Sequence, residues 1–67
     1  MKLKQVDLKS IVQDIAIYTG VEFRCGSWNG YWHVYEAKTG EMLITGSLRE
    51  CYNYVEAFLR GVKYKGR

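Results

Sequence analysis

A chain of 67 residues that is 48% hydrophobic and 15% aromatic is too short to build two cores and too apolar to stay disordered, so it reads as one domain. A net charge of +3 tilts it mildly toward anionic partners but falls well short of a polycationic nucleic-acid arm. No run approaches the roughly 20 apolar residues of a membrane-spanning helix, nothing between Met1 and Lys9 resembles a secretion signal, and Cys25 and Cys51 lie in unrelated segments; the expectation is a cytoplasmic protein with free thiols.

Leu8, Ile11, Val12, Ile15 and Thr19 recur at helical spacing, with Asp7 placed to cap the first turn and Gly20 where a left-handed terminator belongs. Ile17 falls on the opposite, polar face as an exposed apolar residue. At Val21 the period changes to two: Val21, Phe23 and Cys25 alternate with Glu22 and Arg24, and the run passes through Gly26, Ser27 and Trp28 into Asn29-Gly30. Asn-Gly suits a two-residue type I′ turn, whose central residues both need positive φ, so Trp28 is expected opposite Tyr31, Cys25 opposite Val34 and Arg24 opposite Tyr35.

A second strand, Tyr31 to Ala37, leads into Lys38-Thr39-Gly40, read as a type I turn with a G1 bulge, and Met42 to Thr45 returns as the third strand. Ser47-Leu48-Arg49-Glu50 is a capping box that opens a second helix, and Leu48, Cys51, Tyr52, Val55, Leu59 and Val62 form its apolar stripe. Beyond Gly61, residues Lys63 to Arg67 lack an apolar period and read as a frayed basic tail, leaving about 6–62 as the ordered region.

The fold class expected is α+β: helix, three-stranded antiparallel meander, helix, with both helices packed on one face of the sheet. Alternation assigns Val21, Phe23, Cys25, Trp32, Val34, Met42 and Ile44 to the core face. The opposite face receives Glu22, Arg24, Trp28, Tyr31, His33, Tyr35, Leu43 and Thr45, and no third helix remains to cover it. An aromatic group of Trp28, Tyr31 and Tyr35 beside Arg24 and His33 on a water-facing sheet is a candidate binding surface, because aromatics both anchor protein interfaces and stack unpaired bases. The plainer reading is that such cross-strand pairs simply hold a small hairpin together.

Catalytic signatures are missing: there is no glycine-rich phosphate loop, no GxSxG, and no metal-ligand spacing among Cys25, His33 and Cys51. The reading is a non-enzymatic binding protein with no cofactor and no metal site. Arg60, Lys63, Lys65 and Arg67, with Lys2 and Lys4 at the other end, gather positive charge at the two termini, where phosphate contacts add affinity without reading sequence.

The order helix, three strands, helix resembles that of double-stranded RNA-binding domains, and a meander followed by one helix is similar to integrase arm-binding modules. The lysine-rich start of the second helix used by the RNA-binding family is missing from Ser47-Leu48-Arg49-Glu50-Cys51. Two functions are therefore expected in order: nucleic-acid binding through Arg24, Trp28, Tyr31, His33 and Tyr35 with Arg60, Lys63 and Lys65 reaching phosphates, or a protein-interaction module using the same sheet face. The second takes the form of a homodimer or of a small accessory or inhibitor protein of phage or mobile-element type.

Overall fold

A computed structural model describes residues 2–65, with the side chain of Lys65 outside the description. Helix α1 (Gln5–Thr19) is followed by strands β1 (Phe23–Trp28), β2 (Tyr31–Glu36) and β3 (Met42–Gly46) and by helix α2 (Leu48–Lys65). The three strands form one antiparallel sheet in the order β1-β2-β3, and both helices pack on it, α1 over β1 and α2 over β2 and β3. This is the expected αβββα arrangement.

Helix α1 begins earlier than its apolar stripe implies. Lys4 is the N-cap, and Asp7, in the third helical position, accepts a hydrogen bond from the Lys4 backbone amide at 2.9 Å. Asp7 thus closes the first turn from inside, not as the cap itself. At the other end Gly20, at φ 76°, donates its amide to the Ala16 carbonyl, and the Thr19 hydroxyl donates to the Ile15 carbonyl. That hydrogen bond keeps Thr19 on the surface, away from the core stripe in which its spacing had placed it.

The core is built from Leu8, Val12 and Ile15 of α1, Val34 of β2, and Cys51, Val55 and Leu59 of α2, all buried. Around it lie half-buried Ile11, Phe23, Cys25, Trp32, Leu43, Ile44, Leu48, Tyr52 and Phe58. Phe58 is a core contributor that the expected stripe omitted, although it sits three residues after Val55 and shares its side of the helix. Ile17 is 76% exposed, as its position opposite the stripe requires.

Asn29 (φ 55°) and Gly30 (φ 78°) both occupy the left-handed region, and the Trp28–Tyr31, Cys25–Val34 and Arg24–Tyr35 pairings follow as counted. β1 continues through Trp28, so Gly26 and Ser27 belong to the strand. The second connection differs from a G1-bulge loop: the Gly40 amide donates to the Glu36 carbonyl at 2.8 Å and the Glu36 amide to the Glu41 carbonyl at 2.8 Å. Four residues, Ala37 to Gly40, therefore separate the closing pair.

The bulge lies instead within β3. Val34 pairs with Ile44 but Tyr35 pairs with Met42, which leaves Leu43 as an extra residue. One extra residue reverses the alternation beyond it, so Met42 turns to the open face and is 48% exposed while Leu43 packs against the core. The expected places of these two residues are exchanged. Val21, also assigned to the core, precedes β1 and is 40% exposed, because its amide is held by the Thr19 hydroxyl at 3.1 Å in the link from α1.

The capping box of α2 forms in full. The Ser47 amide donates to Glu50 Oε1 at 2.9 Å, and the Glu50 amide donates to Ser47 Oγ at 3.1 Å. The helix then runs past Gly61 to Lys65, so Lys63 is helical and not part of a frayed tail. What was expected of Gly66 and Arg67, and of the Lys65 side chain, lies outside the described residues.

Candidate functional site

The sheet has one face covered by helices and one left open. Among the described residues no element covers the sheet face turned away from the helices. The register puts Arg24, Gly26 and Trp28 of β1, Tyr31, His33 and Tyr35 of β2, and Met42 and Thr45 of β3 on that side.

Its centre is a stacked pair. The Trp28 indole lies against the His33 imidazole with ring centroids 3.9 Å apart and planes 12° from parallel, and meets Tyr35 at 6.0 Å in a tilted arrangement. Gly26 makes this possible: a Cβ there would come within 3.0 Å of Trp28 Cζ3. With only hydrogen at that position, the indole folds back over the strand and lies flat, so an aromatic ring covers a gap that glycine leaves in the sheet.

His33 is consequently buried, at 8% exposure, and does not present its ring to a partner, contrary to what its place on the open face implies. Its two nitrogens are both engaged, Nε2 with the Trp28 carbonyl at 3.2 Å and Nδ1 with Thr45 Oγ1 at 3.0 Å. The carbonyl only accepts, so Nε2 carries the proton. Nδ1 meets the Thr45 hydroxyl, which can donate or accept, so both ring nitrogens have partners. The histidine is a cross-strand brace that ties β2 to β3 and to the hairpin end.

What remains on the surface is Trp28 (44% exposed), Tyr31 (57%) and Met42 (48%), with half-buried Tyr35 beside them. Met42 is the member that alternation had hidden; the bulge delivers it. Arg24 is the one cation among the described residues of this face, and its Nε donates to Glu22 Oε2 at 3.2 Å in an exposed ion pair. The face is thus aromatic and apolar with its charge locally balanced.

Arg60 and Lys63 stand elsewhere. Both belong to α2, in the layer on the covered side of the sheet; Arg60 is ion-paired with Glu56 at 3.2 Å, and Lys63 Nζ lies 5.1 Å from the Tyr18 ring of α1. The fold therefore brings Trp28, Tyr31, His33, Tyr35 and Arg24 together and puts Arg60 and Lys63 in the other layer.

Neither thiol is bridged. Burial raises the Cys25 thiol above its ordinary value, against the lowering effect of nearby Lys9, and burial likewise raises Cys51, whose Sγ points to the Trp32 and Gly46 carbonyls. Both are held in the thiol form, the less nucleophilic one. Among the described residues no three His, Cys, Asp or Glu side chains cluster as metal ligands, and no helix is long and apolar enough to cross a membrane. Comparison with known proteins finds no matching family model, no similar curated protein and no similar solved structure.

Proposed function

We propose that this protein is a non-catalytic protein-interaction module that self-associates through the open face of its sheet, the occupant being a second copy of the chain. The observation that carries this reading is the exposure of Trp28, Tyr31 and Met42 together on a face whose one cation among the described residues, Arg24, is already paired with Glu22. Aromatic residues and Met are the side chains enriched at protein interfaces, and paired charge leaves little to attract phosphate.

Self-association suits the size of the core. Seven buried apolar residues among those described support a small domain, and chains of this length commonly add stability by oligomerising.

The nucleic-acid reading draws on the same aromatics but needs phosphate contacts beside them, whereas Arg60 and Lys63 lie in the helical layer. Light scattering across a wide concentration range tests the proposal. The expected result is a dimer that Tyr31→Ser with Met42→Ser returns to monomer without unfolding, and that ignores added duplex or single-stranded DNA and RNA. A monomer at millimolar concentration overturns it, and a mass increase with nucleic acid only at low salt favours the other reading.

A further inference from the structure

β1 is an edge strand, and the register says which of its backbone groups are free. The Ala37 amide donates to the Glu22 carbonyl, so Glu22, Arg24, Gly26 and Trp28 direct their backbone groups to β2. By alternation Phe23, Cys25 and Ser27 direct theirs outward. Among the described residues no hydrogen bond engages those outward amides and carbonyls. β1 has no proline, no bulge and no lysine, and its one charged residue, Arg24, is paired with Glu22, whereas β3 at the other edge is interrupted at Leu43.

Alongside this edge runs a cleft of about 580 Å³ between β1 and α1. Val12 and Ala16 of α1 and Phe23 and Cys25 of β1 give it an apolar wall, and Lys9 and Gln13 line it from the helix. Glu22 and Arg24 at its rim are paired with each other, so Lys9 is the unpaired cation of the cleft among the described residues. A regular unpaired strand edge and an apolar slot beside it are the elements by which an added strand is recognised, backbone hydrogen bonds giving affinity and the slot selecting side chains; the uncompensated Lys9 adds a preference for an acidic residue.

We infer that the α1–β1 cleft binds an extended acidic segment of a partner protein, which adds to β1 as a fourth strand, places an apolar side chain between Ala16, Phe23 and Cys25, and sets a carboxylate against Lys9. The cleft borders the open sheet face and shares Arg24 and Tyr35 with it, but its backbone groups and apolar wall lie on the β1 edge and the helix side. A second copy of the chain is a poorer occupant of the edge, because pairing β1 with β1 brings the two Lys9-bearing flanks of α1 toward each other.

The test titrates the ¹⁵N-labelled full chain with hexapeptides of alternating Val and Glu, and with a matched set of alternating Val and Lys. The Glu set is expected to shift the Phe23, Cys25 and Ser27 amides, to slow their hydrogen exchange, and to bind at least about tenfold tighter than the Lys set. Ser27→Pro removes an outward donor without touching the ladder to β2, a placement that edge strands tolerate, and is expected to abolish binding; Lys9→Glu should reverse the preference. No binding of the Glu set at millimolar peptide, binding that survives Ser27→Pro, or shifts confined to Trp28, Tyr31 and Met42 would overturn the inference. A dimer that Ser27→Pro dissociates would overturn it in favour of self-pairing at the edge.

Discussion

Replacing Trp28 by alanine removes the ring that seals His33 and the Gly26 gap. Trp28 is 44% exposed, so somewhat more than half of its surface is covered. From the ~250 Å² that a Trp can bury, about 120 Å² net of the alanine that remains, at ~25 cal/mol/Å², gives ~3 kcal/mol. Residual burial in the unfolded chain lowers this to ~2 kcal/mol, and the loss of aromatic stacking restores ~0.5–1 kcal/mol. The expected cost of about 2–3 kcal/mol is a large part of the ~3–5 kcal/mol that a domain of this size holds. Urea unfolding followed by far-ultraviolet circular dichroism measures it, at a concentration where wild type and variant have the same mass. Gly26→Ala supplies the control, since the new Cβ would lie 3.0 Å from the indole and should cost ~1–2 kcal/mol in wild type but almost nothing once Trp28 is alanine. A loss below ~0.5 kcal/mol for Trp28→Ala, or an equal cost of Gly26→Ala in both backgrounds, would refute the stacked arrangement as a stabilising contact.

The exchange of Leu43 and Met42 predicts that Leu43→Ala costs ~2 kcal/mol while Met42→Ala stays within ~0.5 kcal/mol, measured by the same unfolding curves on monomeric samples; the reverse order would place the bulge wrongly. Gly30→Ala is expected to lose about 1–2 kcal/mol by backbone strain alone, since φ is 78° and nothing lies within 4 Å of the added Cβ. Ser47→Ala should destabilise by ~1 kcal/mol through loss of the cap. The Glu50 carboxyl is held below its ordinary 4.5 by the Ser47 backbone amide and then by the Ser47 side chain. A lowered folded value means that its contribution is complete above about pH 4.5 and lost as pH falls through the folded value. Thermal melts from pH 7 to pH 2 should therefore show a shallower acid decline for Glu50→Gln than for wild type; parallel declines would refute the assignment.

Local chemistry determined much of this protein before any tertiary contact. Asn29-Gly30 set the hairpin and so the pairing of Trp28 with Tyr31, because few dipeptides accept two positive φ angles in succession. Ser47 and Glu50 marked the start of α2, since both partners of the box lie within one turn. Helical and strand periods gave the element order and the existence of an open aromatic face. Tertiary structure decided what period counting cannot see. A bulge is a defect in the period itself, so the places of Met42 and Leu43 depended on how β3 met β2 and α2. His33 looked like a surface residue until the Trp28 ring closed over it through the space that Gly26 leaves, a contact between side chains that alternation treats only as neighbours. The layer holding Arg60 and Lys63 was likewise set by packing: the apolar stripe of α2 binds it to the covered side of the sheet, and its basic residues go with it, away from the aromatic face.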